Sequence, residues 1–346
     1  RWICVDKKGK PRDRYPFSLG FPYFNPYNVN HPPKERLEAY IEAYIFLSQF
    51  DSDDIPVIFP GLNHATIPSM FSAKEIRNGL ETTAEKLIEN TDDIKKLPDP
   101  SLLSGSVAAY WTEAAAFFRT HTQGTIPVNV CDMQGPFDAC AQMWSYDDMM
   151  ISALVEPERY FELLDKVTDA FIMLWNRQKE ILGSAFVPPH LIPWRWVPND
   201  LRAAVSVDSL VMISADFYKE FYQPILGKIF KALGAITIHS CGDFTHLVKT
   251  LCDTPEISAI NASQLSISQL VEAGLTPDKT ILVSIRYDDL ENQMKVVRKY
   301  GLSPRIHVSD IWPTVDGKAE NPSIWTDGDI AEVKDKIERI KELMAV

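Results

Sequence analysis

The run 238–243, which reads Ile-His-Ser-Cys-Gly-Asp, contains the residue types best suited to chemistry. It follows an apolar, β-branched stretch that predicts a strand. Because residues i and i+2 of a strand face the same side, His239 and Cys241 would offer an imidazole nitrogen and a thiolate to one ion. Zinc accepts both ligands, and catalytic zinc sites have three protein ligands and one open position. The third ligand must come from another strand end, where His307 and Asp310 are the candidates.

A structural role for the same pair is the alternative interpretation. A His-x-Cys pair often occurs by chance, and cysteine is among the most buried residue types because it packs as a small apolar side chain. The position of the pair at a strand end, directly before Gly242, favours a metal site. The remaining cysteines of the central and C-terminal chain, Cys131, Cys140 and Cys252, are interpreted as packing residues.

Polar residues follow the other predicted strands as well. Asp208 closes the apolar run 203–207, where an unpaired carboxylate is costly, so it either meets a cation or reaches the edge where a site would form. A structural ion pair with Arg202 or Arg286 is equally open. Trp194 and Trp196 lie in a proline-rich segment and could wall a flat ligand. The other polar residues at strand ends are His64, Asp132, Asn261 and Arg286.

The elements that must position these residues alternate along the chain. Apolar runs predict strands over 15–21, 56–59, 126–131, 203–207, 235–239, 258–262, 280–285 and 305–308. Helical periodicity predicts a helix that contains Leu37, Tyr40, Ile41 and Tyr44, and further helices near 101–122, 147–154, 157–182, 214–233, 243–252, 288–300 and 327–344. Alternating strands and helices imply a parallel sheet, and eight strands without a glycine-rich fingerprint favour a (β/α)8 TIM barrel. We therefore predict an α/β fold with one barrel domain over 1–346.

Composition excludes several classes of partner. The 346 residues carry a net charge of −12, which argues against nucleic acid and anionic membrane surfaces as partners. No uncharged stretch reaches the roughly 20 apolar residues that a membrane span needs. Five cysteines at irregular spacing argue against a disulfide scaffold, so we predict a cytoplasmic protein. Arg1 is not a start methionine, and we expect the numbering to begin inside a longer polypeptide.

The block 206–243 resembles the uroporphyrinogen decarboxylase superfamily, which also contains zinc-dependent, cobalamin-linked methyltransferases. The likeness rests on the strand-end run 238–243 and on residues before it: Ser206, Asp208, Met212, Ile213, Ser214, Phe217, Phe221, Pro224 and Gly234. Residues 12–16, Arg-Asp-Arg-Tyr-Pro, resemble the family's opening, and 126–139 resemble its third strand and loop. The resemblance covers nearly the whole chain and implies a TIM barrel.

The chain departs from each branch of the superfamily at one place. The decarboxylase branch carries a paired-arginine, glycine-rich motif after strand one, whereas residues 19–24 read Leu-Gly-Phe-Pro-Tyr-Phe without arginine. Nothing there would neutralise the eight carboxylates of a porphyrinogen. The methyltransferase branch carries a further cysteine after strand eight, where this chain has Ser309 or Asp310. The resemblance therefore implies either that His307 or Asp310 replaces this ligand or that the zinc site is degraded.

These features lead to a first hypothesis of zinc-dependent methyl transfer between a small donor and a corrinoid carried by a partner protein. Zinc, held by His239, Cys241 and a group of strand eight, would activate a thiol acceptor or polarise the ether oxygen of an O-methyl donor. Loss of the second cysteine favours the O-methyl donor because an N/O-richer set makes a harder Lewis acid. The catalytic residues Asp208 and Asn261 would orient substrate. The predicted substrate-binding residues are His64, Asp132, Trp194, Trp196 and Arg286.

Two alternatives remain open from the sequence. The chain would be a decarboxylase-like lyase for a smaller acid if Arg286 or Arg195 binds the carboxylate. It would be a non-catalytic corrinoid- or tetrapyrrole-binding module if the barrel has lost its chemistry, because a fold does not guarantee a function.

Overall fold

Parallel strands joined by helices form the centre of the molecule. A computed structural model describes residues 13–19, 32–79, 81–188, 203–313 and 324–345. The strands are β1 (Phe17–Ser18), β2 (Glu75–Asn78), β3 (Glu81–Ala84), β4 (Val128–Asn129), β5 (Phe186–Val187), β6 (Ala203–Ser206), β7 (Ile236–Ser240), β8 (Ile257–Ala262), β9 (Thr280–Arg286) and β10 (Ser303–Ser309). Six of them form one sheet in the order β1-β10-β9-β8-β7-β6, and every neighbouring pair is parallel.

Helices connect these strands along most of the chain. They are α1 (Pro33–Leu47), α2 (Val107–His121), α3 (Pro136–Met143), α4 (Tyr146–Val155), α5 (Pro157–Leu182), α6 (Ala215–Phe217), α7 (Gln223–Leu233), α8 (Thr245–Cys252), α9 (Ile267–Glu272), α10 (Leu290–Tyr300) and α11 (Asp327–Met344). The α5 helix begins at Pro157, whose fixed φ suits the first helical position, and Ser214 caps α6 by accepting the Phe217 N–H at 3.1 Å. None of the described helices is both long and apolar enough to cross a membrane.

The prediction of a parallel α/β fold is confirmed, whereas the closed ring of eight strands stays a prediction. The predicted strand 56–59 contributes one bridge, Ile58 to Val128, and β4 pairs in parallel with the unpredicted β5. Across the described ranges, ladder hydrogen bonds do not join this small sheet to the six-stranded one. Pro56, Pro60 and Pro127 surround the bridge, and a proline has no N–H to donate to a ladder, so pairing stays short here.

The strands at the centre of the sheet are buried, and their parallel register places their carboxyl ends side by side. All five residues of β7 are buried, as are all four of β6. In the parallel register, Ser206 lies opposite His239, and His239 lies opposite Asn261. The carboxyl ends of β6 to β10 therefore share one edge of the sheet, which is where parallel α/β folds place their sites.

The structure also contains elements that periodicity did not predict. An antiparallel hairpin is formed by β2 and β3. The β2 strand is largely exposed and β3 alternates exposed and buried positions, but six of the eight residues are polar, so the sequence shows no apolar alternation. The α3 helix is eight residues long and begins at Pro136, directly after the strained segment Gln134–Gly135. Gln134 has φ +57, and a Cβ on Gly135 would lie 2.4 Å from the Ser206 carbonyl oxygen. This close approach holds the loop after β4 against the end of β6.

Candidate metal centre

Three potential ligand atoms converge where β6 and β7 end. His239 is the fourth residue of β7, Cys241 follows that strand, and Asp208 begins a 3-10 turn two residues after β6. The Cys241 Sγ lies 3.5 Å from His239 Nε2, and the same Nε2 lies 3.6 Å from Asp208 Oδ1. Each of the three residues places a ligand atom within 4.8 Å of the other two. Among the described residues, this is the group of His, Cys, Asp and Glu side chains that could hold a metal ion.

Main-chain hydrogen bonds fix Asp208 against β7. The Cys241 N–H donates to Asp208 Oδ1 at 2.8 Å, and the Val207 N–H donates to the His239 carbonyl at 2.8 Å. From the other side, the Asp138 carboxylate of α3 accepts the Asp208 N–H at 2.6 Å and the Ser209 hydroxyl at 2.5 Å. The Cys241 N–H thus holds the carboxylate of Asp208, while Asp138 of α3 holds its backbone N–H.

Asn261 orients the imidazole of His239. The Asn261 Nδ2 donates to the Leu282 carbonyl at 2.9 Å, so the amide oxygen faces His239 Nδ1 at 2.7 Å. Nδ1 must then carry the hydrogen and donate it to Asn261 Oδ1, which leaves the lone pair of Nε2 directed at Cys241 and Asp208. A second partner of this kind fixes the tautomer of most metal-binding histidines. Asn261 is fully buried, so the structure places it behind His239, where it acts as a positioning residue.

The charges around these ligands favour a bound cation. Burial, followed by the Asp208 charge, raises the pKa of Cys241, although a hydrogen bond from Ser263 lowers it in part. Burial lowers the pKa of His239 and keeps the imidazole neutral, as metal binding requires. Burial also raises the pKa values of Asp132 and Asp138 to about 7, and the Asp208 charge adds to both shifts. Within the described ranges, no Lys or Arg forms an ion pair with these three carboxylates.

The donor set fits zinc in type and spacing. Zinc bonds of about 2.0–2.3 Å in a tetrahedron place neighbouring ligand atoms about 3.3–3.6 Å apart. The measured 3.5 and 3.6 Å agree with this range. Nitrogen, sulfur and carboxylate oxygen together suit zinc better than magnesium or calcium, which prefer oxygen alone. Three protein ligands would leave one coordination position for a substrate or water.

The structure places the predicted strand-eight ligands elsewhere. His307 lies within β10 opposite Ser284, and Asp310 follows the strand with φ +60. The Asp310 carboxylate lies 3.4 Å from Arg286 Nε, and Arg286 also pairs with Asp288. Neither His307 nor Asp310 belongs to the three-residue group, in which Asp208 occupies the third position. The reason is adjacency: β6 pairs with β7, whereas β10 is separated from β7 by β8 and β9.

The predicted substrate residues that the structure describes lie in three different surroundings. Asp132 is buried, bonds the Gln134 N–H at 2.8 Å, and interacts electrostatically with Asp208. His64 lies beside the hairpin, with its Nδ1 2.7 Å from the Thr82 carbonyl oxygen. Arg286 is exposed and paired with two acids. Trp194 and Trp196 lie outside the described residues.

A cavity of about 330 Å³, unrecognised in the sequence, opens beside Ser263, which contacts Cys241. Its wall includes Ser263, whose hydroxyl donates to Cys241 Sγ at 3.5 Å, and Gln264, whose side-chain oxygen accepts the Gly242 N–H. The rest of the wall comes from the ends of β9 and β10 and from the start of α9 and α10. Ser263 directly follows β8, and this strand-end position is the sequence feature that could have predicted its place in the site. Asp138 offered no comparable signal, because it lies in the unpredicted α3.

Comparisons with known proteins identify the fold. No protein-family profile matches the chain, and no curated protein matches it in sequence. Among solved structures, a methyltransferase from Methanosarcina mazei superposes with a TM-score of 0.64 at 14% sequence identity. The superposition covers 97% of this chain and 95% of that one. At this identity the comparison establishes a shared fold along the whole chain.

Proposed function

We propose that this protein is a zinc-dependent methyltransferase that moves a methyl group between a small donor and a corrinoid on a partner protein. The observation that carries the proposal is the group formed by Asp208, His239 and Cys241, whose N, S and O ligands are spaced for a tetrahedral ion. The methyltransferase whose fold the chain shares adds support for the reaction class. The corrinoid partner follows from the resemblance in the block 206–243.

The residues of the chain have separate tasks in this proposal. His239 and Cys241 hold the ion from the rigid, buried end of β7, while Asp208 supplies the harder, oxygen ligand. When bound, zinc supplies Lewis acidity that polarises the ether oxygen of an O-methyl donor or keeps a thiol acceptor as thiolate. Asn261 keeps the hydrogen of His239 on Nδ1, so that Nε2 remains a ligand.

The cavity beside Cys241 is the proposed place for the methyl donor or acceptor. Ser263 contacts both the cavity and the Cys241 sulfur, so a molecule in the cavity lies next to the ligand set. Serine, glutamine and arginine side chains along the wall can bind polar groups of this molecule. Gln264 and Arg286 on the cavity wall are exposed, and we propose that the partner that carries a corrinoid approaches there.

The lyase alternative has weaker support. It requires Arg286 or Arg195 to bind a substrate carboxylate. Arg286 already pairs with Asp288 and lies 3.4 Å from Asp310, so little of its positive charge remains uncompensated. Arg195 lies outside the described residues.

Elemental analysis of protein purified without added metal tests the proposal. We expect close to one zinc per chain, lost in Cys241→Ala and in His239→Ala. Cys252→Ala is the matched control, because Cys252 is a buried cysteine of α8 outside the ligand group, and it should retain zinc. Native protein without metal, or zinc retained in both ligand variants, would refute the zinc site.

A transfer assay tests the reaction itself. Zinc-loaded protein should methylate free cob(I)alamin from at least one methoxylated aromatic or aliphatic ether, followed by the absorbance of methylcobalamin. The methyl group leaves the ether oxygen, which takes a proton from water, and bonds to cobalt with the two electrons of cob(I)alamin. A full zinc complement with no transfer from any donor, and none in the presence of a thiol acceptor and methylcobalamin, would contradict methyl transfer and favour a binding module.

A further inference from the structure

Side chains that both donate and accept hydrogen bonds dominate the wall of the cavity beside Ser263. Of its eleven described lining residues, four are serines and three are glutamines. A hydroxyl or an amide group can donate and accept, whereas a carboxylate only accepts and an ammonium only donates. Leu265 and Ile285 add carbon surface, and none of the described lining residues is aromatic. Such a wall is complementary to a ligand whose own groups donate and accept, as hydroxyl groups do.

Two of the serine hydroxyls lie next to each other on neighbouring chain segments, at the end of the cavity that meets the ligand group. Ala262 of β8 lies opposite Val283 of β9, so Ser263 and Ser284 come next on the two chains. Neighbouring parallel strands are about 4.8 Å apart, which sets the spacing of this pair. The Ser263 hydroxyl also donates to Cys241 Sγ at 3.5 Å. The row of hydroxyls therefore begins beside the candidate metal ligands.

The wall also has hydrogen-bonding groups that are not yet used. Ser309 lies opposite Arg286 in the register of β10 and β9, and Arg286 faces the same side of β9 as Ser284. Within the part of the chain that the structure describes, the hydroxyls of Ser284 and Ser309 form no hydrogen bond. The side-chain oxygen of Gln264 accepts the Gly242 N–H, which leaves the amide N–H groups of Gln264 as donors. These groups can bind several hydroxyls of one ligand.

The charged residues of the wall disfavour an anionic ligand. Arg286 pairs with Asp288, lies 3.4 Å from Asp310, and interacts electrostatically with Asp289 as well. One arginine thus faces three carboxylates, so an anion would meet net repulsion. The Asp289 carboxylate accepts a hydrogen bond from Gln293 at 2.7 Å. A quaternary ammonium ligand is bound best by aromatic rings, and the described wall has none.

We propose that this cavity binds a neutral, polyhydroxylated molecule of about monosaccharide size, and that a methyl ether of this molecule is the methyl donor. The identity of the donor rests on the proposed methyl transfer, whereas binding itself requires neither zinc nor a corrinoid. A volume of about 330 Å³ is at the lower end of the usual range of about 300–1,000 Å³, so the ligand has one sugar-like ring. Its methoxy group lies at the Ser263 end, and its hydroxyls lie along Ser284 and Ser309.

Calorimetric titration of the chelator-treated full chain tests the class of ligand. The probes are the α- and β-methyl glycosides of glucose, galactose and mannose. The matched probe is 2-methoxytetrahydropyran, which keeps the ring and the methoxy group but lacks the hydroxyls. We expect saturable binding of at least one glycoside and at least tenfold weaker binding of 2-methoxytetrahydropyran, because a site that hydrogen-bonds hydroxyls rejects the analogue without them.

Two serine variants test the position of the ligand. Ser284→Ala and Ser309→Ala should each weaken glycoside binding about three- to tenfold, the usual contribution of one hydrogen bond. The control is Ser303→Ala at the amino end of β10, remote from the cavity, which should change the dissociation constant less than twofold. Because the described chain uses neither hydroxyl, both variants should keep the thermal midpoint of the wild type. If one of them fails to fold, the other carries the test.

The transfer assay connects the ligand to the reaction. With zinc, the glycoside that binds should yield methylcobalamin from cob(I)alamin. Its methyl carbon–oxygen bond breaks, the carbon bonds to cobalt with the two electrons of cob(I)alamin, and the oxygen takes a proton from water. Methyl transfer from an aromatic ether without any glycoside binding would refute the sugar-like ligand alone. Glycoside binding without zinc or transfer would refute the methyltransferase and leave the class of ligand supported.

Several binding results would overturn the assignment. These are the absence of saturable binding for every glycoside at millimolar concentrations, equal binding of a glycoside and 2-methoxytetrahydropyran, and unchanged glycoside binding in both serine variants. Tighter binding of benzoate or of tetramethylammonium than of every glycoside, lost in Ser284→Ala, would replace the neutral ligand by a charged one.

Discussion

Asp132 should make the metal-free protein less stable as the pH rises. Burial, with further contributions from Asp208 and Asp138, raises the pKa of Asp132 from 3.8 to about 7. At pH 5 the folded state therefore keeps a proton that the unfolded state has released. Because the folded state binds more protons, the free energy of unfolding falls as the pH rises from about 4 through 7. For this pKa, the change between pH 5 and pH 7 amounts to about 2 kcal/mol.

The comparison of wild type with Asp132→Asn isolates this effect. The asparagine oxygen can still accept the Gln134 N–H, which bonds Asp132 Oδ1 at 2.8 Å, but it does not titrate. Asp138 behaves like Asp132, whereas His239, whose pKa burial lowers, works in the opposite direction. Both groups are present in each protein, so their contributions largely cancel in the difference. Between pH 5 and pH 7, the variant should gain about 2 kcal/mol relative to the wild type.

Urea denaturation in the presence of a chelator measures this difference. Unfolding free energies at pH 5, 6 and 7 should diverge steadily between the two proteins. In a second series, saturating zinc should reduce the divergence, because a cation beside Asp208 stabilises the ionised form of a neighbouring carboxylate. Parallel pH profiles without zinc, or a divergence of opposite sign, would show that the folded state holds Asp132 as an ordinary carboxylate.

Two further predictions concern positioning and packing. Asn261→Ala should weaken zinc binding about 10–100-fold in a competition titration, because the Nδ1–H of His239 loses its hydrogen-bond acceptor. Unchanged zinc affinity would show that a group other than Asn261 fixes the tautomer of His239. Gly135→Ala should lower the free energy of unfolding by about 1–3 kcal/mol or more, because a Cβ would lie 2.4 Å from the Ser206 carbonyl oxygen. The control is Gly328→Ala, which should change the free energy of unfolding little because no atom lies nearer than 3.5 Å to the added Cβ. Equal effects of the two substitutions in urea denaturation would contradict this prediction.

The sequence predicted the parts of the site that depend on local geometry. His239 lies on β7 and Cys241 directly follows that strand, two residues later, so extended backbone geometry accounts for their common direction. Asp208 was recognised as a strand-end residue that could meet a cation, but His307 and Asp310 were named as the candidates for the third ligand. Consecutive strands usually lie side by side, and this tendency favours Asp208 over any group of β10.

Other parts of the fold and of the site depend on tertiary contacts, which the periodicity of apolar residues does not predict. The hairpin of β2 and β3 is polar on most positions, so its pairing leaves no apolar pattern. Asp138 is remote from Asp208 in sequence and meets it only because Gly135 lets the chain pass the end of β6. The closed barrel stays a prediction, because in the described residues the proline-flanked segments at 56–60 and 127–129 pair over only one or two residues.

The three candidate ligands differ in their access to solvent, and this difference predicts the order in which they would bind an ion. The side chain of Asp208 is 42% exposed, Cys241 is half-buried, and His239 is 3% exposed. A cation that arrives from solvent therefore meets the carboxylate first, then the thiol, and reaches the imidazole last. We expect release to follow the reverse sequence, with Asp208 affecting how fast metal exchanges and His239 affecting how long it stays. A substitution at the outer ligand should change the rates of loading and loss together, whereas one at the inner ligand should change retention alone.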